Sequence, residues 1–267
     1  MAASNFAAAL DEVFSHEGGY STVRSDPGNW TGGKVGVGEL KGTKYGIAAS
    51  SFPHLDIKNL TTAEAGEIYR IRYWNKVRGD ELPDGVDLAT FDPAVNSGPA
   101  RGARWLQAAL GVTQDGAVGP QTVAAAARAP DKVAVIKKLC AKRLGFLQAL
   151  STWKTFGNGW ARRVASVEAT AIAWAASAAG AKPSDTLASE GKKASASAKA
   201  NAGGAAATGG GGGAIGTQVD PGSLDAMAIA ALVVFGAAIV ITIAVLAWRS
   251  HVQSERARAL AAAAQEG

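Results

Sequence analysis

Glu17 stands where a helix is expected to end, directly before Gly18 and Gly19 in the run HEGGY. The C-terminal end of a helix carries partial negative charge, so a carboxylate there is placed against local preference. Such a placement marks a candidate for function. Phe14 lies one turn back on roughly the same face, which sets the carboxyl beside apolar surface. Burial and the helix end both favour the neutral acid over the carboxylate. A neutral carboxylic acid is what protonates a glycosidic oxygen, and the paired glycines leave room for a bulky polymer to approach it. Asp26 follows in the turn-forming run SDPGN and can supply the second carboxylate that glycoside cleavage commonly uses. Thr31 and Thr43 offer hydroxyls to orient water, and Glu39 is a spare carboxylate. Ordinary readings stand beside these. A glutamate after a helix is commonly a surface residue, and an aspartate before Pro-Gly is commonly a turn former.

The elements that must hold these groups are mostly helices. Asn5 suits an N-cap for a first helix in which Phe6, Leu10, Val13 and Phe14 recur at helical spacing. Residues 20–50 are rich in glycine and turn residues, with KYGIAAS as a short strand candidate, so a small β or loop flap is expected there. Thr61 and Glu64 have capping-box spacing and open a helix expected to continue through Trp74. GPARGARWLQAALG gives another helix closed by Gly111, and Pro120 opens the next at a first-turn position. Asp131 caps the run KVAVIKKLCAKRLGFLQAL, and a last helix of the body is expected from about Gly159 through Ala176. The expected class is mainly α, or α+β with a small sheet flap in the first third, with one transmembrane helix in addition.

Six of the seven tryptophans fall within residues 1–177, the part with globular composition. Beyond it, residues 178–225 are Ala, Gly, Ser and Lys with little to bury, which predicts a flexible linker. Residues 226–248 carry no charge over 23 positions. A helix of that length crosses the roughly 30 Å hydrocarbon core, so a membrane span is expected. Arg249, Arg256 and Arg258 follow in the tail 249–267, while Asp220 and Asp225 precede the span. That asymmetry favours a cytoplasmic tail and an enzyme on the periplasmic side of the inner membrane.

The formal charge of +5 and pI near 9.3 suit an anionic polymer as partner. From Lys132 through Arg163 there are eight basic residues and no acidic one, a pattern that reads as a solvated helix face. No groove-reading motif supports nucleic acid binding. Cys140 is the only cysteine, among apolar neighbours, and packs as a small buried group. The three histidines are scattered, so neither a metal nor a cofactor is expected.

The succession HEGGY, DPGNWTGG and GTKYGI, continued through YRIRYWNKVRGDELPDGVDLATFDPAVNSGPARGARWLQAALGV, resembles glycoside hydrolase family 108. These are lysozyme-like N-acetylmuramidases found widely in phage endolysins. QDGAVGPQTVAAA is similar to the type-3 peptidoglycan-binding region that commonly follows the catalytic part. The resemblance covers about residues 6–177. It implies a catalytic region at 1–92 and a helical peptidoglycan-binding-like region at 93–177. By position it makes Glu17 the catalytic acid, Asp26 its partner and Thr43 the threonine of the T-x-x-G-I element. The insertion NWTGGKVGVGELK leaves Thr31 as a rival to Thr43. Tyr20, Tyr45, Trp74 and Asn96 suit sugar contacts, although Trp74 in a helical pattern is more often core. Asp92, Asn96 and Gly98 lie in FDPAVNSG, a stretch the family shares near its cleft wall.

The implied reaction is cleavage of the MurNAc–GlcNAc β-1,4 bond of peptidoglycan for cell lysis. The implied partners are peptidoglycan, the membrane through residues 226–248 and a holin. Three alternatives remain at this level. They are a lytic transglycosylase giving 1,6-anhydro products, a non-catalytic wall-binding membrane protein and a holin-like permeabiliser.

Overall fold

A computed structural model describes residues 5–210 and 226–266. Helix α1 (Phe6–Ser15) turns Ala9, Leu10 and Val13 inward and ends at His16. Asn5 does not cap it. Its side-chain amide instead donates to Asp84 Oδ1 at 2.9 Å and Asp87 Oδ2 at 2.8 Å, tying the start of α1 to a segment some eighty residues away. The flap follows as a tight hairpin, β1 (Thr43–Lys44) and β2 (Ile47–Ala48), antiparallel and closed by Tyr45 and Gly46. Both turn residues have positive φ, 50° and 71°, as a two-residue hairpin turn of the primed type requires.

Helix α2 (Thr62–Tyr69) opens on the expected capping box, with Glu64 N to Thr61 Oγ1 at 3.2 Å and Thr61 N to Glu64 Oε2 at 2.8 Å. It does not run on as an α-helix to Trp74: Arg70–Trp74 widens into a π turn that drives Trp74 into the core. Helix α3 (Val86–Ser97) is the central rod, buried from Val86 to Ala94. Around it lie α4 (Pro99–Leu110), α5 (Pro120–Arg128), α6 (Lys132–Gln148) and α7 (Trp153–Ala178). The loop between α4 and α5 is held by buried Gln107. Its amide donates to Asp115, Ala117 O and Thr122, and its carbonyl accepts from Gly116 N. Helix α7 begins at Trp153, six residues earlier than the sequence suggests. The expected boundary at 92–93 falls inside α3.

Two expectations for the C-terminal third are corrected. Residues 183–210, expected within a flexible linker, form α8 (Pro183–Gly210), and the rest of that linker, 211–225, lies outside the described residues. Alanine and lysine are strong helix formers, and small side chains let helices approach closely without large apolar residues. Leu187, Ala194 and Ala198 are buried, and Glu190 pairs with Lys137 of α6. The expected single-pass anchor over 226–248 is overturned, because among the described residues no helix is long and apolar enough to cross a membrane. Instead, α9 (Ala226–Glu266) runs unbroken and packs along α8 and α7. The residues expected as a basic tail are part of that docking surface. Val252 and Leu260 are buried and Arg256 pairs with Glu168 of α7. The argument for a periplasmic placement from charges flanking a span, and for a holin partnership, loses its basis with the span.

Asp87, on the first turn of α3, gives the fold a pH dependence. Burial outweighs the hydrogen bond from Asn5 and raises its carboxyl from 3.8 to about 6. The folded state therefore holds this proton more tightly than the unfolded chain does. Stability falls as pH rises from 3.8 to about 6, and the loss is complete above that. Asp87→Asn is expected to flatten this window and to stabilise the protein at pH 7 by about 1–3 kcal/mol. Urea midpoints measured from pH 4 to 7 check it, and an unchanged slope would refute it.

Candidate active site

Glu17 lies just past the end of α1, its N–H bonded to Phe14 O at 3.1 Å and its side chain 21 % exposed. Around Gly18 and Gly19 there is open space where a side chain would stand. On one side is an aromatic wall, in which Phe14 stacks on Tyr45 at 5.2 Å and meets Tyr69 edge-on at 5.2 Å. Tyr69 donates its hydroxyl to Tyr45 O at 2.8 Å. Burial, then the nearby Glu17 charge, pushes the Tyr69 hydroxyl well above the usual phenol range, so it stays a donor. On the other side is a cation that the sequence reading did not foresee. Arg163 of α7 donates from Nη1 to Glu17 Oε1 at 3.0 Å.

Arg163 is itself held from behind. Its Nε donates to Asp92 Oδ1 at 3.0 Å and its Nη2 lies 2.8 Å from the same oxygen. Asp92, on α3, is fully buried and its second oxygen pairs with Arg143 of α6, which is 1 % exposed. Burial alone would raise the Asp92 carboxyl, but the two guanidinium groups outweigh it and hold the group below the usual carboxylate range. Two carboxylates and two guanidiniums thus form a charge-balanced row from partly exposed Glu17 to Arg143 in the core. A second set of contacts fixes α1 on α7. Glu12 accepts from Ser166 at 3.0 Å and Thr170 at 3.3 Å, and lies 3.3 Å from His16.

The hairpin tip closes on the same carboxylate. A Cβ added to Gly46 would stand 3.0 Å from Glu17 Oε2 and 2.6 Å from Tyr69 Oη, at a φ that L side chains rarely adopt. Gly46→Ala is expected to cost about 1–2 kcal/mol of stability and to lower activity by roughly tenfold or more by displacing the carboxyl. Melting temperature and initial rates report it, and a variant matching wild type in both would contradict the assignment.

Thr43 belongs to this hairpin. Its hydroxyl donates to Asn29 Oδ1 at 2.7 Å and its backbone pairs with Ser21. Asn29 is fully buried and joins Thr43 to the Asp26 turn, since Asn29 N bonds Asp26 O at 3.2 Å. Asp26 is exposed, and its Oδ1 accepts from Gly28 N at 2.8 Å, capping the short 3-10 turn Pro27–Asn29. Thr31 is in a different loop, its hydroxyl accepting from Glu39 N at 2.9 Å. Glu39 is exposed beside Lys41.

Of the expected sugar contacts, Tyr20 is 42 % exposed and Asn96 exposed one turn beyond Asp92 on α3, while Tyr45 is half-buried at the hairpin tip. Trp74 is wholly buried between Phe6 and Phe91, with Nε1 donating to Asp80, and has no face for a sugar. Cys140 is buried, and burial pushes its thiol far up. Among the described residues no group of His, Cys, Asp or Glu is arranged to hold a metal ion.

Arg143 and Arg163 were hidden in the basic run read as solvated. The signal was present for Arg143, which falls in step with Ile136, Cys140 and Leu147 on the buried face of α6.

The chain matches the family model described as Glycosyl hydrolase 108 over residues 10–98 and that described as Predicted Peptidoglycan domain over residues 101–165. It is 41 % identical to the chain in the solved structure of Brucella abortus SagA, with a TM-score of 0.54, over 64 % of this chain and 95 % of that one. No curated protein matches it. Glu17 and Asp92 lie in the first matched stretch, Arg143 and Arg163 in the second, so the charged row spans both.

Proposed function

The chain belongs to the glycosyl hydrolase 108 family, and from that premise we propose that it is a muramidase cutting the MurNAc–GlcNAc β-1,4 bond with Glu17 as general acid. The family and the peptidoglycan domain behind it make the protein a peptidoglycan-degrading glycosidase. The bond and the residue roles are our reading.

One observation carries it. A partly exposed carboxyl beside the open space at Gly18 and Gly19 is held by Arg163 and abutted by the Gly46 hairpin tip. Substrate entering over Gly18 and Gly19 displaces water, and Glu17 is assigned to delivering a proton to the leaving oxygen. As the sugar ring gains positive charge, the Glu17 carboxylate formed by that transfer is met by the Arg163 guanidinium waiting 3.0 Å away. Asp26 and Thr43, linked through Asn29, are assigned to orienting the attacking water and supporting the oxocarbenium-like centre.

A lytic transglycosylase is the second reading. It is favoured by the engagement of Asp26 Oδ1 in its own turn, because that reaction proceeds with a single acid. Purified peptidoglycan treated with the full-length protein and resolved by mass spectrometry separates them. Reducing MurNAc ends are expected; 1,6-anhydro ends would establish the second reading, and GlcNAc ends would refute both.

A further inference from the structure

A groove of about 450 Å³ opens beside the hairpin, lined by Tyr20, Leu40, Lys41, His54, Asp56 and Lys58 together with Leu55. We propose that it binds the acidic peptide that peptidoglycan carries on its muramic acid sugars, so that the enzyme prefers peptide-bearing strands. The inference rests on the glycosidase reading above and adds a recognition site to it.

Position is the first argument. Tyr20 is three residues past Glu17, so their Cα atoms are at most about 11 Å apart. Lys41 is two residues before Thr43, whose strand pairs with Ser21 next to Tyr20. The groove is therefore within the reach of three extended peptide residues from a sugar held at Glu17.

Charge is the second. Lys41 is paired with Glu39 at 3.5 Å, and Lys44 donates to Lys58 O, so Lys41, Lys44 and Lys58 against Glu39 and Asp56 leave one net positive charge. In a peptide-bearing strand the sugars are neutral, because the lactyl carboxyl is held in the amide bond to the peptide. The free carboxylates of such a strand lie in the peptide, which carries several of them and, at a diamino acid, one amine. A cluster of lysines in excess over its carboxylates matches that pattern.

The fittings agree. Lys41 is already braced, its Nζ donating to Pro53 O at 2.8 Å, and Tyr20 Oη donates to Lys41 O at 3.2 Å. Asp56 takes two hydrogen bonds from Asn59, at 2.8 and 3.3 Å, which keep it ionised. Lys58 is exposed, and among the described residues its ammonium makes no hydrogen bond or ion pair. It is the cation left to meet a ligand. Leu40 and Leu55 add apolar wall for alanyl methyl groups.

The test uses the full-length protein and two readouts. In the first, kcat/KM is measured on peptidoglycan and on the same glycan stripped of peptide by an amidase, for wild type and Lys58→Glu. Wild type is expected to favour the peptide-bearing strand by about tenfold, and Lys58→Glu to lose that preference while matching wild type on stripped glycan. Equal rates of wild type on both strands, or an equal fall on both in the variant, would overturn the proposal. In the second, the free tripeptide alanyl-γ-glutamyl-diaminopimelate is titrated into each protein by NMR, which needs no cleavage. Shifts at Tyr20 and His54 in wild type only are the expected result. Absence of binding, or equal binding of inorganic phosphate (a general anion patch), overturns it. A protein that binds the tripeptide yet cuts neither strand would retain the groove and refute the glycosidase reading instead.

Discussion

Glu17→Gln is expected to lower turnover on peptidoglycan by about 100-fold or more, with the melting temperature close to wild type. The amide keeps the shape and one acceptor for Arg163 but has no proton to give the leaving oxygen. Its carbonyl oxygen can still take the hydrogen bond from Arg163 Nη1, so the charged row loses one unit of charge and little geometry. Binding to insoluble peptidoglycan should persist, since the cleft is open at Gly18 and Gly19 in either case. Rates from released reducing ends, paired with a pull-down on sacculi, measure the two separately. A variant retaining a tenth of wild-type rate would move the acid elsewhere.

The second large effect concerns stability. Asp92→Ala leaves Arg143, 1 % exposed, and the rear of Arg163 without their anion. Breaking a buried pair by removing one partner costs about 3–5 kcal/mol. Activity should fall as well, because Arg163 then lacks the anchor that aims it at Glu17. The double variant Asp92→Leu with Arg143→Met removes the stranded core charge and is expected to recover much of the stability, as apolar replacement of a buried pair commonly does. Chemical denaturation of the three proteins decides it, and a single variant within about 1 kcal/mol of wild type would contradict the account. The pH dependence has the opposite sign to that of Asp87. A depressed carboxyl contributes stability above its unfolded range, and that contribution is lost as pH falls through the folded value.

Local signals were the legible part of the sequence. The capping box at Thr61 and Glu64 and the cap at Asp131 involve neighbours a few residues apart, and their chemistry is visible in any window, whereas KYGIAAS, expected as a strand, holds the hairpin turn at Tyr45 and Gly46. Glu17 was visible because it defied its surroundings. Arg163 was not, because an arginine in a basic run looks solvated until the helix it faces is known. Its contact lies 146 residues from Glu17. Asn5 misled for a related reason. Two aspartates brought near by tertiary packing compete for its amide, and they prevail over the local cap. The C-terminal third misled most, because composition that reads as linker or span is also composition that makes closely packed helices. Among the described residues, buried Val252 and Leu260 and the Arg256–Glu168 pair show the tail docked on the body.

The distance in sequence between Glu17 and Arg163 has a consequence during synthesis. At ~5–20 residues per second, translating the 146 residues between them takes roughly 7–30 s. Throughout that interval the nascent chain carries Glu17 without its guanidinium partner. If the proposed roles hold, a fragment ending before α7 is expected to be inert, so that wall cutting would begin with completion of the body and not with emergence of its first helix.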